Sequence, residues 1–325
     1  MSGGIDLGSL EALLSRARRI PLDHEHGGPD DLCFGVFGWR RSADRDWPTA
    51  AVTRFADLGT RSRGYCLRAD PVHLRADMSD LVLLDGHDFA LSLEESRSLA
   101  EEIGAHFAGA GWRIEVPHPS RWYLEVPQPP EIRTTPLSEA VFRPVQPNLP
   151  TGQEAGAWHA RMNEAQMVLH RCRVNEIRAG RGEAAINSLW FWGGGELPQD
   201  VPRFDGSVFA DTPLAAGLAG LAGASSRELP DRGAEILLAG PEPETVLVMI
   251  EAGHRPARAS DVEGWREFIA WLETRWLAPL GSSLRQGQLD QLTIVTDRPV
   301  RFDASAPGWR ARLGRNRTFA ELAET

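Results

Sequence analysis

The stretch NSLWFWGGG, from Asn187 to Gly195, is the strongest fold signal in the chain. An apolar run with two tryptophans stops at three consecutive glycines. Side chains alternate along a strand, so Trp190 and Trp192 should face one side and Leu189 and Phe191 the other. This predicts a core strand. A glycine-rich turn at its end can present backbone N–H groups to an anion, or can simply change the chain's direction. The run does not match the Gly-x-Gly-x-x-Gly dinucleotide fingerprint.

Other apolar runs predict strands on both sides of this stretch. They are LCFGVFGW (32–39), LVLLD (81–85), WRIEV (112–116), RWYLEV (121–126), EILLAG (235–240), TVLVMI (245–250) and LTIVTD (292–297). Helical periodicity predicts helices over 10–19, 93–108 and 158–182. Capping boxes at 92–95 and 260–263 should begin two helices, the second with Trp265, Phe268 and Trp276 on its apolar face. The predicted fold class is α/β, with a mixed or mostly parallel sheet covered by helices and a smaller α+β subdomain.

The length of 325 residues predicts about two domains. Residues 1–65 are weakly patterned and form an N-terminal segment of uncertain role. Residues 66–150 predict an α+β subdomain that ends in a proline-rich connector at 127–150. Residues 151–325 predict an α/β domain.

Composition excludes several classes of function. The net charge of −10 argues against a nucleic-acid surface. The sequence contains no lysine, which excludes a Schiff base and a Walker-type phosphate loop. The three cysteines are too far apart for a zinc knuckle and are expected to be reduced thiols. No membrane span or signal peptide is apparent, so we expect a cytoplasmic protein that does not bind membranes.

One candidate binding group is a polar stripe on the predicted helix over 158–182. Asn163, Gln166 and His170 lie beside its apolar face, and Asn175 and Arg178 follow. Amides, an imidazole and a guanidinium suit phosphate or carboxylate. The alternative is that the amides cap and cross-link the backbone while Arg178 pairs with Glu164 or Glu183.

A second candidate group lies in ADPVHLRAD. Asp70, His73 and Asp77 are types that bind divalent metals or perform acid–base catalysis. If the segment is a strand, Arg75 shares a face with His73 and Asp77 and would pair with the carboxylates, so we expect no metal here. The clusters at 23–26 and 85–88 are expected to be solvated surface.

Several segments resemble RpfE-type regulatory proteins, which are bacterial and phosphoglycerate mutase-like. These segments are ADPVHLRAD, RWYLEV, NEAQMVLH, VNEIRAGRGEAAINSLWFWGGG and TPLAAGLAGLAG, in that order. The chain also distantly resembles archaeal-type cofactor-independent phosphoglycerate mutases of the alkaline phosphatase superfamily. Asn175, Arg178, Gly182, Asn187 and Gly193-Gly194-Gly195 resemble a mutase segment, which implies an anion site and an alkaline-phosphatase-like but incomplete core.

Departures from the mutase pattern concern the metal ligands. The resemblance implies an Asp-Gly metal motif and a serine nucleophile, and residues 1–66 hold neither in recognisable form. Arg298 follows Asp297 where the enzymes have a ligand histidine. Near His254, the residues Glu251 and Arg255 do not supply the pair of acidic metal ligands that the resemblance implies. Two-metal phosphoryl transfer needs a complete ligand set.

These observations leave three hypotheses for the function. The first is a regulatory or ligand-binding protein without cofactor, for a small phosphorylated or carboxylated metabolite or a protein partner. The second is an active mutase or metal-dependent phosphohydrolase using Mn²⁺, Mg²⁺ or Zn²⁺. A third is an interaction protein that uses its 11 tryptophans in core and interface.

Overall fold

A computed structural model describes residues 7–21, 28–42, 44–77, 80–238, 245–296 and 300–305. The strands are β1 (Arg18–Pro21), β2 (Cys66–Asp77), β3 (Asp80–Leu84), β4 (Arg113–His118), β5 (Arg121–Glu125), β6 (Ser188–Gly195), β7 (Ser207–Ala210), β8 (Ser225–Glu228), β9 (Val246–Met249), β10 (Gln291–Val295) and β11 (Val300–Ser305).

The helices are α1 (Gly8–Arg16), α2 (Pro29–Val36), α3 (Thr49–Leu58), α4 (Leu93–His106), α5 (Leu137–Ala140), α6 (Ala155–Arg171), α7 (Arg173–Gly180), α8 (Pro213–Ala222), α9 (Ala234–Leu238), α10 (His254–Ala259), α11 (Val262–Leu272) and α12 (Ala278–Gln286). None of the helices within the described ranges is long and apolar enough to cross a bilayer.

The chain forms two compact units. Unit 1 comprises Met1–Leu32, Asp205–Asp211 and Ser225–Thr325, and unit 2 comprises Cys33–Phe204 and Thr212–Ala224. The segmentation at residues 65 and 150 expected from the sequence stays a prediction.

Unit 2 is built around a five-stranded antiparallel sheet in the order β3-β2-β5-β4, with β6 also paired to β2. The long strand β2 holds the sheet together because it pairs with three other strands. In the β2–β6 register, Asp70 lies opposite Trp190 and Arg68 opposite Trp192. NSLWFWGGG is therefore a buried strand, as predicted.

The two faces of β6 have different surroundings. Phe191 packs edge-on against Trp158 of α6, with ring centroids 5.3 Å apart, and against Trp112 at 5.5 Å. On the opposite face, Trp192 donates its indole N–H to Asp70. The expected alternation of tryptophans and Phe191 is confirmed, with an aromatic core on one face and a polar network on the other.

Unit 1 contains two three-stranded sheets. One is parallel, in the order β8-β7-β9, and the other is antiparallel, in the order β1-β11-β10. The α/β class is confirmed, but parallel pairing within the described residues is confined to β8-β7-β9. The two kinds of pairing together fit the mixed alternative of the prediction, and the hairpins and long strand β2 make the sheet of unit 2 antiparallel.

Two predicted strands are helical. LCFGVFGW lies mainly in α2, which has Pro29 at its start and two aspartates in its first turn, both helix N-terminal signals. EILLAG forms α9 over its described residues. Short apolar runs cannot be assigned to strand or helix by periodicity alone.

Two helix boundaries also differ from the prediction. The helix expected over 158–182 is broken at Cys172, whose extended backbone separates α6 from α7. The capping box at Ser92 and Glu95 is confirmed. At the second predicted box, the N-cap is Asp261 instead of Ser260, and its carboxylate accepts from the Gly264 amide.

Candidate functional site

Asp70 lies at the centre of a buried polar network in unit 2. Its carboxylate is fully buried and accepts hydrogen bonds from Arg68 Nε (2.9 Å), the Trp122 amide (3.3 Å) and Trp192 Nε1 (2.7 Å). Burial raises the pKa of Asp70, and the adjacent Arg68 guanidinium opposes that rise. These three partners all belong to the sheet, so the Asp70 carboxylate holds β2, β5 and β6 together.

The same network continues towards α3. The Arg68 guanidinium lies over the rings of Tyr123 and Trp192, at 5.5 and 5.1 Å from their centroids. Tyr123 donates to Asp57 at 2.6 Å, and Arg121 binds Asp57 through two nitrogens at 2.8 and 3.0 Å. Sequence reasoning missed Asp57, although its helical spacing from Thr49 and Thr53 marks a polar stripe on α3.

The other residues of ADPVHLRAD are not brought together with Asp70. His73 Nδ1 lies 2.7 Å from the carbonyl oxygen of Ala185, and Arg75 and Asp77 are exposed near the end of the β2–β3 hairpin. Asp70 and His73 are three positions apart on a strand, so they face opposite sides. Within the described ranges, no three His, Cys, Asp or Glu side chains form a group that could hold a metal ion.

The polar stripe of α6 divides between solvent and sheet. Asn163 and His170 are exposed, whereas the Gln166 amide donates to the Ser188 hydroxyl at 3.3 Å. The stripe exists as predicted, but no described contact links its two exposed members to a common ligand pocket.

Asn175 and Arg178 have internal partners. The Asn175 amide donates to the carbonyl oxygens of Leu169 (2.7 Å) and Ile186 (2.8 Å) and accepts from the Ile186 amide (2.8 Å). Arg178 is 1% exposed and donates from Nε to the Ala184 carbonyl. These bonds fasten α6 and α7 to the segment that enters β6, which matches the backbone cross-linking alternative.

The Arg178 guanidinium also pairs with two glutamates. Its Nη1 lies 3.5 Å from Glu95 and 3.3 Å from Glu183. The predicted pairing with Glu183 is confirmed, while Glu164 instead lies 3.2 Å from His106. Glu95 is the capping-box residue of α4, so Arg178 ties that helix N-terminus to α7.

Asn187 replaces a missing strand contact. Its side chain accepts from the Leu74 amide at 2.7 Å and donates to the Leu74 carbonyl at 2.9 Å, imitating a backbone pair. The side-chain oxygen and nitrogen of Asn187 therefore both bond to β2 and extend the β2–β6 ladder.

The three glycines allow close packing of the chain. A Cβ on Gly194 would lie 2.4 Å from the Tyr65 hydroxyl, and one on Gly195 would lie 2.6 Å from Pro48. Gly193 has a φ of +62° and donates its N–H to the Thr134 hydroxyl at 3.1 Å. The predicted glycine turn is wrong, because the three glycines continue strand β6, where Gly195 pairs with Cys66. Their contacts serve neither role expected from the sequence but the close approach of Pro48 and Tyr65.

Unit 1 contains an acidic site that the sequence analysis did not select. Asp211 follows β7 and Glu251 follows β9, so both lie at the carboxyl ends of adjacent parallel strands, together with Asp30 from the start of α2. We call these three residues the acidic edge. This is the place where open α/β sheets bind ligands, and the strand-end position of Asp211 was the available signal.

Burial raises the pKa values of two carboxyl groups of the acidic edge, and for Glu251 neighbouring negative charge adds to this rise. Burial, with Asp30 and Asp211 nearby, raises the pKa of Glu251 to about 8. Burial also raises the pKa of Asp211, which accepts from the Glu251 amide at 3.3 Å. A perturbed carboxyl pair at a sheet edge is a candidate functional site. The cluster at 23–26, expected to be solvated surface, and the Asp297-Arg298 pair both lie outside the described residues.

Two curated proteins match part of the sequence. The 2,3-bisphosphoglycerate-independent phosphoglycerate mutase of Methanothrix thermoacetophila is 27% identical over 184 residues, 51% of this chain and 47% of the mutase. That of Methanosarcina barkeri is 26% identical over 218 residues, 64% of this chain and 52% of the mutase. The chain is distantly homologous to these mutases. It spans about half the length of the curated relatives it matches. No family model matches the chain.

The fold is related to that of a solved protein from Pyrococcus horikoshii. The PH0037 protein from Pyrococcus horikoshii aligns over 98% of this chain and 85% of its own, with a TM-score of 0.56 at 15% identity. The cofactor-independent phosphoglycerate mutase of Thermoplasma acidophilum aligns over 96% of this chain and 88% of its own, at a TM-score of 0.42 and 16% identity. The likeness to PH0037 concerns the fold alone.

Proposed function

We propose that this chain is a regulatory or ligand-binding protein on a mutase-like scaffold, and that phosphoryl transfer is not its activity. The observation that carries the proposal is the internal use of the polar groups in the mutase-like segment. Asn175 and Asn187 bond to backbone groups, and the Gly193 N–H bonds to Thr134. A group that binds substrate must exchange its partners on binding, and breaking buried hydrogen bonds costs about 1–3 kcal/mol each.

The resemblance to RpfE-type regulatory proteins also supports a binding role. A small phosphorylated or carboxylated metabolite is the proposed ligand. Of the residues selected from the sequence, Arg75, Asp77, Asn163 and His170 are exposed and can reach a ligand without breaking internal bonds. Arg75 and His170 are the members of this set that can pair with an anion.

Calorimetric titration with 3-phosphoglycerate in the presence of EDTA tests this role. We expect binding without metal, weakened at least tenfold in Arg75→Ala or His170→Ala. Arg113→Ala, an exposed arginine on β4, is the matched control and should bind like the unchanged protein. Binding that requires a divalent metal would contradict the proposal, as would equal losses in the control.

The acidic edge favours a second candidate, a metal-dependent phosphohydrolase or mutase. Its carboxylates lie at the carboxyl ends of two parallel strands, where open α/β sheets bind ligands. The described carboxylates do not form a group that fits a metal ion, so we derive no catalytic step through one. The distinguishing result would be turnover that falls in both Asp211→Asn and Glu251→Gln but not in Glu228→Gln, which alters an exposed residue of the same unit.

A further inference from the structure

The antiparallel sheet of unit 2 has one covered edge and one open edge. Along β3, the chain that follows α5 forms backbone hydrogen bonds with the strand, from the Phe142 amide to the Leu83 carbonyl at 2.9 Å and from the Val145 amide to the Leu81 carbonyl at 2.8 Å. At the opposite edge, β4 has β5 as its one strand partner in the part of the chain that the structure describes. An unpaired edge offers its N–H and C=O groups to another strand.

Hydrogen bonds of β5 determine which backbone groups of β4 face outward. The Val126 amide bonds to the residue before β2 at 3.2 Å, and the Trp122 amide bonds to a β2 side chain at 3.3 Å. Backbone groups alternate in direction along an antiparallel strand, so those at positions 123 and 125 point towards β4. Their partners in the register are Glu115 and Arg113. The backbone groups of these two β4 residues therefore point inward, to β5.

Three residues that alternate with these have outward backbone groups. They are Trp112, Ile114 and Val116, and we call their outward N–H and C=O groups the β4 edge. Pro117, which has no N–H, follows at one end, and Gly111 with a φ of +72° turns the chain at the other. The β4 edge therefore spans 112–116, with Ile114 at its centre.

The two faces of β4 beside this edge differ. On the α4 face, Ile114 and Val116 are half-buried and line an open groove of about 280 Å³, together with Arg97, Ala100, Glu101 and Gly104. Residues that alternate with Ile114 lie on the other face of the strand. The β4 edge is thus bordered by apolar side chains on one face and by Arg113 and Glu115 on the other.

Arg113 and Glu115 carry opposite charges on the same face of β4. Glu115 accepts a hydrogen bond from Arg54 Nη2 of α3 at 2.8 Å, and its side chain is still 40% exposed. Arg113 is exposed and has no ion pair among the described residues. A carboxylate placed opposite Arg113 would therefore add a pair that the single chain does not form.

We propose that two copies of this chain join through their β4 edges, antiparallel and across a two-fold axis at Ile114, so that their sheets become one. Full overlap of two 112–116 edges pairs Ile114 with itself and Trp112 with Val116. This register also places Arg113 of each copy opposite Glu115 of the other. That position is a non-hydrogen-bonded pair, where side chains come closest. The limits of the edge fix the register, and the match of charge follows from it.

The chemistry of the β4 edge favours a second copy as its occupant. Outward backbone groups are matched by an extended strand, and a two-fold interface is self-complementary by construction. An unrelated extended peptide would satisfy the backbone groups but would supply a carboxylate opposite Arg113 only by coincidence. This inference does not depend on the proposed function.

Sedimentation equilibrium of the full chain tests the interface. The mass should rise with concentration from 35.8 kDa towards twice that value. Ile114→Pro removes the outward N–H at the axis, which an edge strand tolerates, so this variant should stay monomeric. Arg113→Glu should weaken the dimer roughly tenfold, because it places like charges opposite each other twice. Arg203→Glu, at an exposed loop position of unit 2, is the matched control and should dimerise like the unchanged chain.

Cysteine cross-linking tests the register. The native cysteines are all buried. Ile114→Cys should form a disulfide between copies under copper–phenanthroline oxidation, since paired residues at this position lie about 5.5 Å apart between Cα atoms. Met167→Cys, at an exposed residue of α6, should not. A chain that stays monomeric at every concentration would overturn the proposal. So would a dimer that is insensitive to both Ile114→Pro and Arg113→Glu, or cross-linking of Met167→Cys in preference to Ile114→Cys.

Discussion

Glu251→Gln should make the protein more stable at neutral pH. Burial beside Asp30 and Asp211 raises the pKa of Glu251 from 4.5 to about 8. At pH 7 the folded protein therefore keeps a proton that the unfolded chain has released. Because this proton is bound only in the folded state, the free energy of unfolding falls as pH rises between these two pKa values.

The magnitude follows from the same interval. Between pH 4.5 and about 8, each pH unit lowers the free energy of unfolding by about 1.4 kcal/mol. The loss therefore reaches about 3 kcal/mol at pH 7. Glutamine keeps the shape and removes the titration. The variant should gain up to about 3 kcal/mol at pH 7 and almost nothing at pH 4, below the unfolded pKa.

Urea unfolding at pH 4, 7 and 8.5, followed by tryptophan fluorescence, measures this difference. The control Glu228→Gln alters an exposed carboxyl of β8 and should change stability by less than about 0.5 kcal/mol at every pH. The reasoning fails if Glu251→Gln is less stable than the unchanged chain at pH 7. That outcome would mean that Glu251 is ionised and paired in the folded protein.

Three other substitutions test unit 2 by the same unfolding assay. Asp70→Asn should destabilise by about 3–5 kcal/mol, because it leaves the buried Arg68 without its counter-charge, and a smaller loss than Asp77→Asn at the exposed hairpin end would contradict the network. Gly194→Ala should destabilise the protein by about 1–3 kcal/mol, because the added Cβ clashes with Tyr65. The control Gly104→Ala, which has open space around it in α4, should be neutral or stabilising. Equal effects of the two substitutions would refute the packing role of Gly194. Ser92→Ala should cost about 1 kcal/mol by removing the α4 cap, and an unchanged midpoint would show that the capping bond is not stabilising.

The sequence was most informative where local patterns and tertiary contacts agree. The β4–β5 hairpin, the capped helix α4 and the core strand β6 follow from periodicity, a capping box and turn residues. It was least informative for short apolar runs. The apolar residues of α2 and α9 are compatible with a strand or a helix. Both segments form helices that carry acidic residues in their first turn.

The candidate site was harder to predict than the fold. Asn175, Arg178 and Asn187 have the chemistry of ligand groups, but the same hydrogen-bonding capacity lets them replace backbone partners. Which use prevails depends on distant contacts such as Leu74 with Asn187, which lie 113 positions apart in the chain. The acidic edge was missed for the same reason, because Asp30, Asp211 and Glu251 come from three segments that are distant in the sequence.

The most direct test of a binding role without phosphoryl transfer is ³¹P NMR of 3-phosphoglycerate with the full chain and Mg²⁺ or Zn²⁺. The spectrum separates the 3-phosphate, the 2-phosphate and free phosphate, so it detects both mutase and phosphatase turnover. We expect the 3-phosphoglycerate signal to keep its area over many hours, with binding seen as a shift or broadening. Conversion to either product that disappears in both Asp211→Asn and Glu251→Gln would contradict the account.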